Sequence, residues 1–130
     1  MSPGLAEQQK ALVAALVGGA EVPAGFDAAG VLATRTALRR KRAGEVARTW
    51  PLLAASYGDA WTESFARWAA GRPPNGSLRD GWDFARDAGD GLPALARREL
   101  AEREAAFGYD GVHAPVRRGR LATWMRRRRG

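Results

Sequence analysis

The chain has 130 residues, of which 45% are hydrophobic and 27% charged, so its length and composition predict one folded globular domain. It contains no cysteine and a single histidine, His113, which excludes disulfides, thiolate metal sites, a cysteine nucleophile and a histidine metal cluster. The formal net charge is +7, from 21 basic and 14 acidic residues.

The positive charge is concentrated at the end of the sequence. Seven of the 21 basic residues lie from residue 117 onward, and all 14 acids lie before it, so residues 1–116 carry 14 of each. We therefore predict a neutral helical domain, residues 1–112, followed by a basic arginine-rich tail, residues 113–130. Such a tail either binds phosphate, an anionic surface or an acidic partner, or is simply a solvated terminus.

The first part of the sequence predicts two helices separated by a loop. Apolar residues recur at helical spacing from Leu5 to Val17, and Gly18 ends that run. Asp27 can then cap a second helix that continues to about Arg42.

A third helix is predicted over residues 45–57, with Gly44 separating it from the second. Pro51 lies inside its apolar stripe, and proline lacks the backbone donor that a helix interior needs. We therefore expect a kink or a break just before Pro51.

The middle of the sequence predicts an aromatic helix, a linker and a further helix. Trp61, Phe65 and either Trp68 or Ala69 follow one another at helical spacing and are expected in the core. The linker is the segment RPPNG, residues 72–76. Ser77 is expected to cap the next helix, with Asp80 as its reciprocal capping partner.

A further helix is predicted from Pro93 to about Ala106, with a solvated charged face over residues 97–104. A loop follows from Gly108, and a short terminal helix is indicated around Trp124. No alternating β-branched run is long enough for a strand. The fold class is therefore all-α, a single domain of five to six short helices whose short connections favour antiparallel neighbours.

Residues that could support catalysis or metal binding are few. His113 is the only candidate general base, and a loop histidine of this kind is usually just exposed. Asp80, Asp83, Asp87 and Asp90 are spaced so that several carboxylates share a helix face, but surface ion pairing explains them more simply than a cation site. We therefore predict a protein that is not an enzyme and that holds no metal or cofactor.

Two groups of cations and one tryptophan are the candidate partner-binding or nucleic-acid-binding residues. The first group also suits the C-terminal dipole of the predicted second helix, and Trp124 either anchors a partner or packs back on the domain. The full set is Arg39, Arg40, Lys41, Arg42, Arg117, Arg118, Arg120, Trp124, Arg126, Arg127, Arg128 and Arg129.

Several motifs follow one another in a fixed order through LRRKRAGEVARTWPLLAASYG and GRPPNGSLRDGWDFARDAGDGLP. They are an arginine-bearing helix, a Trp-Pro pair, a Tyr-Gly pair, an aromatic helix, a Pro-Pro turn and a Gly-x-x-Phe helix. This order, over roughly residues 5–106, resembles a small helical bacterial family labelled "putative DNA-binding domain". After the arginines, the motif residues are Trp50, Pro51, Tyr57, Gly58, Trp61, Phe65, Trp68, Pro73, Pro74, Gly81 and Phe84.

Some members of that family resemble partner subunits of multinuclear non-haem iron oxidases of the methanobactin-biosynthesis type. There the oxidase holds the irons, and the helical protein helps to engage a ribosomally made peptide. The resemblance implies a non-catalytic accessory protein that docks on an enzyme encoded nearby, an iron-dependent peptide-modifying oxidase, and helps it engage a peptide.

The alternative function is nucleic-acid binding through the arginine cluster and the basic tail. The neutral body favours the accessory protein, because DNA-binding domains usually carry a basic face on the folded part itself. No apolar run reaches the roughly 18 residues that a membrane span requires, and the N-terminus MSPGLAEQQK lacks the pattern of a signal peptide. We therefore expect a cytoplasmic protein with no membrane span.

Overall fold

The computed structural model describes residues 27–119, and within them the predicted all-α class is confirmed. The predicted first helix and the short terminal helix lie outside these residues. Two 3-10 turns, Gly58–Ala60 and Gly89–Gly91, join helices closely. The elements are α1 (Ala28–Thr49), α2 (Pro51–Tyr57), α3 (Trp61–Ala69), α4 (Ser77–Ala88), α5 (Ala94–Ala106), β1 (Phe107–Gly108) and β2 (Val116–Arg117).

Helix α1 is a single helix, so the predicted division at Gly44 is wrong. Its start is as predicted, with the Asp27 carboxylate accepting a hydrogen bond from the Gly30 N–H at 2.8 Å. A glycine in a helix interior costs only about 1 kcal/mol relative to alanine. The burial of Ala43 and Val46 on either side of Gly44 outweighs that cost and carries the helix through.

The predicted break before Pro51 is confirmed. Helix α1 ends at Thr49, Trp50 leaves the helical conformation, and Pro51 begins α2. The backbone N–H groups of Leu52 and Leu53 donate to the Glu99 carboxylate at 3.1 and 2.8 Å. Glu99 is therefore buried as the cap of α2, and its predicted place on a solvated face is wrong.

The core is built largely from aromatic side chains of α2, α3 and α4, together with Trp50 at the junction of α1 and α2. Trp50, Phe65 and Trp82 are fully buried, and Trp61 is nearly so. Trp50 and Trp82 meet edge to face at 5.7 Å, a preferred arrangement for aromatic pairs. The core positions predicted for Trp50, Trp61 and Phe65 are confirmed, whereas Trp68 is half-buried at the edge.

Gly81 allows α4 to approach the indole of Trp50. A Cβ atom at this position would lie 2.8 Å from Trp50 Cγ and would overlap Cδ1. The same indole donates from Nε1 to the Leu78 carbonyl at 3.0 Å, one turn earlier on α4. The Trp-Pro pair and the Gly-x-x-Phe helix of the sequence are thus two sides of one helix contact.

The start of α4 differs from the prediction. Gly76, with φ of +88°, precedes the helix, and no side chain caps it. Ser77 instead shares a hydrogen bond with Thr49 through their hydroxyls at 2.7 Å, which ties α4 to the end of α1. Asp80 turns inward rather than back to Ser77, because Arg42 lies there.

A short antiparallel hairpin follows α5, although no strand was predicted. Phe107 pairs with Arg117 and Gly108 with Val116, and the loop 109–115 joins the two strands. Two residues per strand are too few to leave an alternating pattern in the sequence. Within the part of the chain that the structure describes, no helix has the length and apolar character to cross a bilayer.

Candidate interaction surface

The arginine cluster Arg39–Arg42 does not form one cationic surface. Arg42 is only 8% exposed, and its guanidinium lies 3.3 Å from the Asp80 carboxylate and donates to the Arg72 carbonyl at 2.8 Å. The predicted role of Arg42 in binding a partner or a nucleic acid is therefore wrong, since this side chain is inside the domain.

The remaining members of the cluster have different environments. Arg40 is exposed and forms a 3.4 Å ion pair with Glu63 on α3, Arg39 is half-buried, and Lys41 is exposed. Because α1 continues past them to Thr49, they lie in a helix interior and not in a C-terminal turn. The dipole explanation of the cluster is therefore also wrong.

The buried Arg42–Asp80 pair holds the linker in place. Asp80 accepts a hydrogen bond from the Asn75 N–H at 3.1 Å, while the Arg42 guanidinium donates one to the carbonyl of Arg72. Burial raises the pKa of the Asp80 carboxyl, although the neighbouring Arg42 charge and the Asn75 hydrogen bond act to lower it. The solvent-exposed prolines Pro73 and Pro74 lie between these two anchors.

The other α4 carboxylates with contacts bind side chains of neighbouring elements. Asp83 accepts from the Tyr109 hydroxyl at 2.8 Å. Asp87 accepts from the Trp68 indole at 2.8 Å and forms an ion pair with Arg72 at 3.3 Å. Between residues 27 and 119, no group of acidic or histidine side chains has the arrangement of a metal site. These carboxylates connect α4 to the hairpin loop, to α3 and to the linker.

The aromatic motif residues pack around Phe84 of α4. Tyr57, Trp61 and Trp68 each meet the Phe84 ring edge to face, at 5.5, 5.1 and 5.7 Å. Trp61 also donates from its indole to the Ala43 carbonyl at 2.9 Å. The aromatic residues among the motif residues therefore build the core.

The Tyr-Gly pair also has a backbone role. Gly58 has φ of +56°, a conformation that residues with a side chain rarely adopt, and it ends α2. The next helix then begins within three residues.

Arg86 anchors the hairpin to α4 and α5. It forms two hydrogen bonds with the Glu104 carboxylate, at 3.0 and 2.9 Å, and a third with the Tyr109 carbonyl at 2.6 Å. The carboxylate of Glu104 raises the pKa of Arg86, so this guanidinium stays charged. Tyr109 is buried and packs on Trp82 at 4.9 Å.

The described part of the predicted tail, residues 113–119, includes the second strand of the hairpin. Arg118 donates from Nε to the carbonyls of Glu104 and Phe107 at 3.0 and 3.2 Å. Arg117 lies over the Phe107 ring at 5.3 Å. These two predicted binding residues therefore belong to the folded body. The other predicted tail residues lie outside the described part of the chain: Arg120, Trp124, Arg126, Arg127, Arg128 and Arg129.

The exposed turn of the hairpin contains His113. Asp110 accepts from the backbone N–H groups of Val112 and His113, and His113 Nδ1 lies 2.7 Å from its second oxygen. These contacts lower the pKa of Asp110 well below its usual range. The pair organises the turn.

Sequence reasoning missed the apolar side chains that this hairpin exposes. Val112 in the loop and Val116 in β2 are 71% and 70% exposed. The cross-strand neighbour of Val116 is Gly108, which has no side chain to cover it. The sequence does not reveal the pairing of two-residue strands. These valines therefore resemble ordinary loop residues in the sequence.

Comparison with known proteins places the helices up to α4 in a wider family. Residues 6–90 match the model of a family described as "SCO6045-like, C-terminal domain". Among curated proteins, a UPF0276 protein of Streptomyces avermitilis is 39% identical over 102 residues, which cover 75% of this chain and 21% of that protein. The chain therefore spans about one fifth of the length of this relative. No solved structure matches.

Proposed function

The chain belongs to the SCO6045-like C-terminal domain family, and we propose that it is a non-catalytic accessory domain that docks on a partner enzyme. The proposed partner is an iron-dependent peptide-modifying oxidase, and the domain helps it to engage its peptide substrate. The class of partner comes from the family resemblance of the motif series.

The observation that carries this proposal is the relation to the UPF0276 protein. In that protein the matching stretch is about one fifth of the length, so the domain is part of the same chain as a much larger region. Two domains that are fused in one protein commonly bind each other where they occur as separate chains. We therefore propose the remaining four fifths of a UPF0276 protein as the kind of partner that this domain contacts.

The use of charged groups inside the domain supports a binding role. The best-buried ion pair, Arg42–Asp80, fixes a linker, Glu99 caps a helix, and Arg86 anchors the hairpin. Each of these groups has its hydrogen bonds directed at the protein itself. Affinity for a partner would then come from a few exposed anchors on a rigid surface, as in other protein interfaces.

The proposal is tested by mixing the purified full chain with a purified UPF0276 protein that lacks the stretch matching this chain. Size-exclusion chromatography is expected to show both proteins in one peak, and the peptide substrate is expected to bind the complex more tightly than the UPF0276 protein alone. Elution of the chain as a lone monomer, at every salt concentration from low to physiological, would contradict the proposal.

Nucleic-acid binding is the second candidate function, and the seven arginines from residue 117 onward are the feature that favours it. It makes a distinct quantitative prediction. The logarithm of the binding constant would fall with the logarithm of the salt concentration, by about one unit of slope per phosphate contact. A duplex that is not shifted on a gel at low salt eliminates this candidate, whereas a steep slope with no UPF0276 complex favours it.

A further inference from the structure

Trp68 is the described tryptophan that solvent reaches, and a charged side chain of its own chain lies over it. The other described tryptophans are buried, whereas Trp68 is half-buried at the edge of the core. The Arg72 guanidinium lies over the Trp68 ring, with Cζ 4.5 Å from the ring centroid. Resting on the proposed function, we infer that Trp68 and Asp87 form a binding site for an arginine side chain of the peptide substrate, and that Arg72 occupies this site in the free domain.

The site consists of an aromatic ring and a carboxylate in direct contact. Trp68 donates from its indole Nε1 to the Asp87 carboxylate at 2.8 Å. The same ring packs against Phe65 at 5.6 Å and meets Phe84 edge to face at 5.7 Å. The core and α4 therefore hold the indole in position by contacts that do not involve Arg72.

An indole face beside a carboxylate is a chemistry that binds a guanidinium. The planar cation stacks on the ring, whose negative face attracts it, and tryptophan is the best aromatic partner for a cation. The carboxylate accepts hydrogen bonds from the same guanidinium and balances its charge. Arg72 makes both contacts, because its Nη2 lies 3.3 Å from Asp87 Oδ2. The side chain already in the site therefore identifies the class of ligand that fits it.

The side chain of Arg72 can leave this site without moving the backbone that carries it. Its carbonyl accepts a hydrogen bond from the buried Arg42 at 2.8 Å, and its N–H donates to the Ala69 carbonyl at 2.9 Å. The side chains of Arg72 and Asp87 are 52% and 50% exposed, and ion pairs as exposed as this one contribute little to stability. The remaining bond, from Arg72 Nε to the Trp68 carbonyl at 3.0 Å, is also exposed, so water replaces it when the side chain leaves. A second arginine therefore competes for the ring at a small cost.

The other contacts between arginine and tryptophan in the described part of the chain do not offer such a site. Arg103 lies over Trp50 and Arg86 over Trp82, but both of these rings are fully buried. A ligand reaches them only if the core opens. The Trp68 ring, in contrast, lies at the surface beside the linker, whose residues are exposed.

The experiment titrates N-acetyl-L-arginine amide, which models an arginine within a peptide, into the isotope-labelled full chain and follows the indole N–H signals by NMR. The signal of Trp68 is identified by its absence in Trp68→Phe. We expect this signal to shift until the site is saturated, because its N–H donates to Asp87 inside the site. N-acetyl-L-citrulline amide is the matched ligand control, since it has a similar shape without the charge, and it should leave the signal in place.

Three variants distinguish the site from a general effect of charge. Arg72→Ala removes the competing side chain and should lower the Kd of the arginine derivative by about fivefold or more, because the open site is then always available. Asp87→Asn removes the carboxylate and should raise this Kd by about fivefold or more. Arg67→Ala is the matched control, since it removes an exposed arginine from the helix that carries Trp68, and it should change the Kd by less than about twofold.

A purely structural role for Arg72 gives a different result. If the arginine derivative binds Arg72→Ala no more tightly than the wild type, Arg72 only covers Trp68 and the inference is wrong. An equal shift of the Trp68 signal with the citrulline derivative also contradicts it. If Arg72→Ala loses its fold, Arg72→Gln replaces it, and the same comparison decides.

The titration uses the full chain alone, so it is independent of docking. A chain that binds the arginine derivative but no UPF0276 protein retains the cation site and loses the proposed function. A chain that docks on the UPF0276 protein but does not bind the arginine derivative retains the proposed function and loses this inference.

Discussion

At the scale of single residues, close packing decides the roles of the glycines. Gly81 and Gly44 both lie in helix interiors. The structure separates them, because the Trp50 indole presses on Gly81, whereas a Cβ at Gly44 would meet nothing within 4 Å. The family motif indicated that Gly81 matters, but only the packing of α4 on Trp50 shows why.

The two glycines form a matched pair for a stability measurement. Gly81→Ala should lower the free energy of unfolding by about 1–3 kcal/mol, because the added carbon overlaps the buried indole. Gly44→Ala should raise it by up to about 1 kcal/mol through the higher helix propensity of alanine. Urea denaturation of both variants measures this, and a loss of similar size in both would show that the Trp50 contact is not the cause.

At the scale of elements, buried charge joins helices that the sequence treats separately. The break at Pro51 and the cap at Asp27 could be predicted from the sequence, because each residue acts on its own neighbours in the chain. The roles of Asp80 and Glu99 could not, because their partners lie 38 residues away at Arg42 and 46 residues away at Leu53. Glu99 lies four residues before Arg103, a spacing that is typical of a solvated ion pair on a helix surface. Only the fold shows that the N-terminus of α2 lies beside it.

The linker anchor is tested by breaking its ion pair. Asp80→Asn leaves the buried Arg42 guanidinium uncompensated and should cost about 3 kcal/mol or more in the free energy of unfolding. Arg40→Gln breaks the exposed pair with Glu63 and should cost less than about 1 kcal/mol. Thermal denaturation of both variants measures the difference. Equal losses of stability would contradict the role of the Arg42–Asp80 pair in holding the linker.

The cap of α2 gives a second test at this scale. Glu99→Gln turns one accepting oxygen into an amide donor that faces the N–H groups of Leu52 and Leu53, so it should cost about 1–3 kcal/mol. The exposed neighbour Glu102→Gln is the control and should be nearly neutral. Hydrogen exchange of the Leu53 amide reports the cap directly, and unchanged protection in the Glu99 variant would contradict it.

At the scale of the whole molecule, charge is distributed unevenly along the sequence. The domain is neutral before residue 117 and basic after it, and the hairpin carries exposed valines to that boundary. The neutral body and the helical class followed from composition and periodicity. The hairpin did not, because strands of two residues leave no pattern and the arginines of α4 that hold the loop resemble ordinary surface charges in sequence.

Docking on a larger partner is the central claim, and calorimetric titration of the full chain into a UPF0276 protein that lacks the matching stretch tests it most directly. Saturable binding with one domain per partner is predicted, and the binding enthalpy should become more negative with temperature, as burial of apolar surface requires. An absence of heat at every temperature, with both proteins folded, would contradict the account.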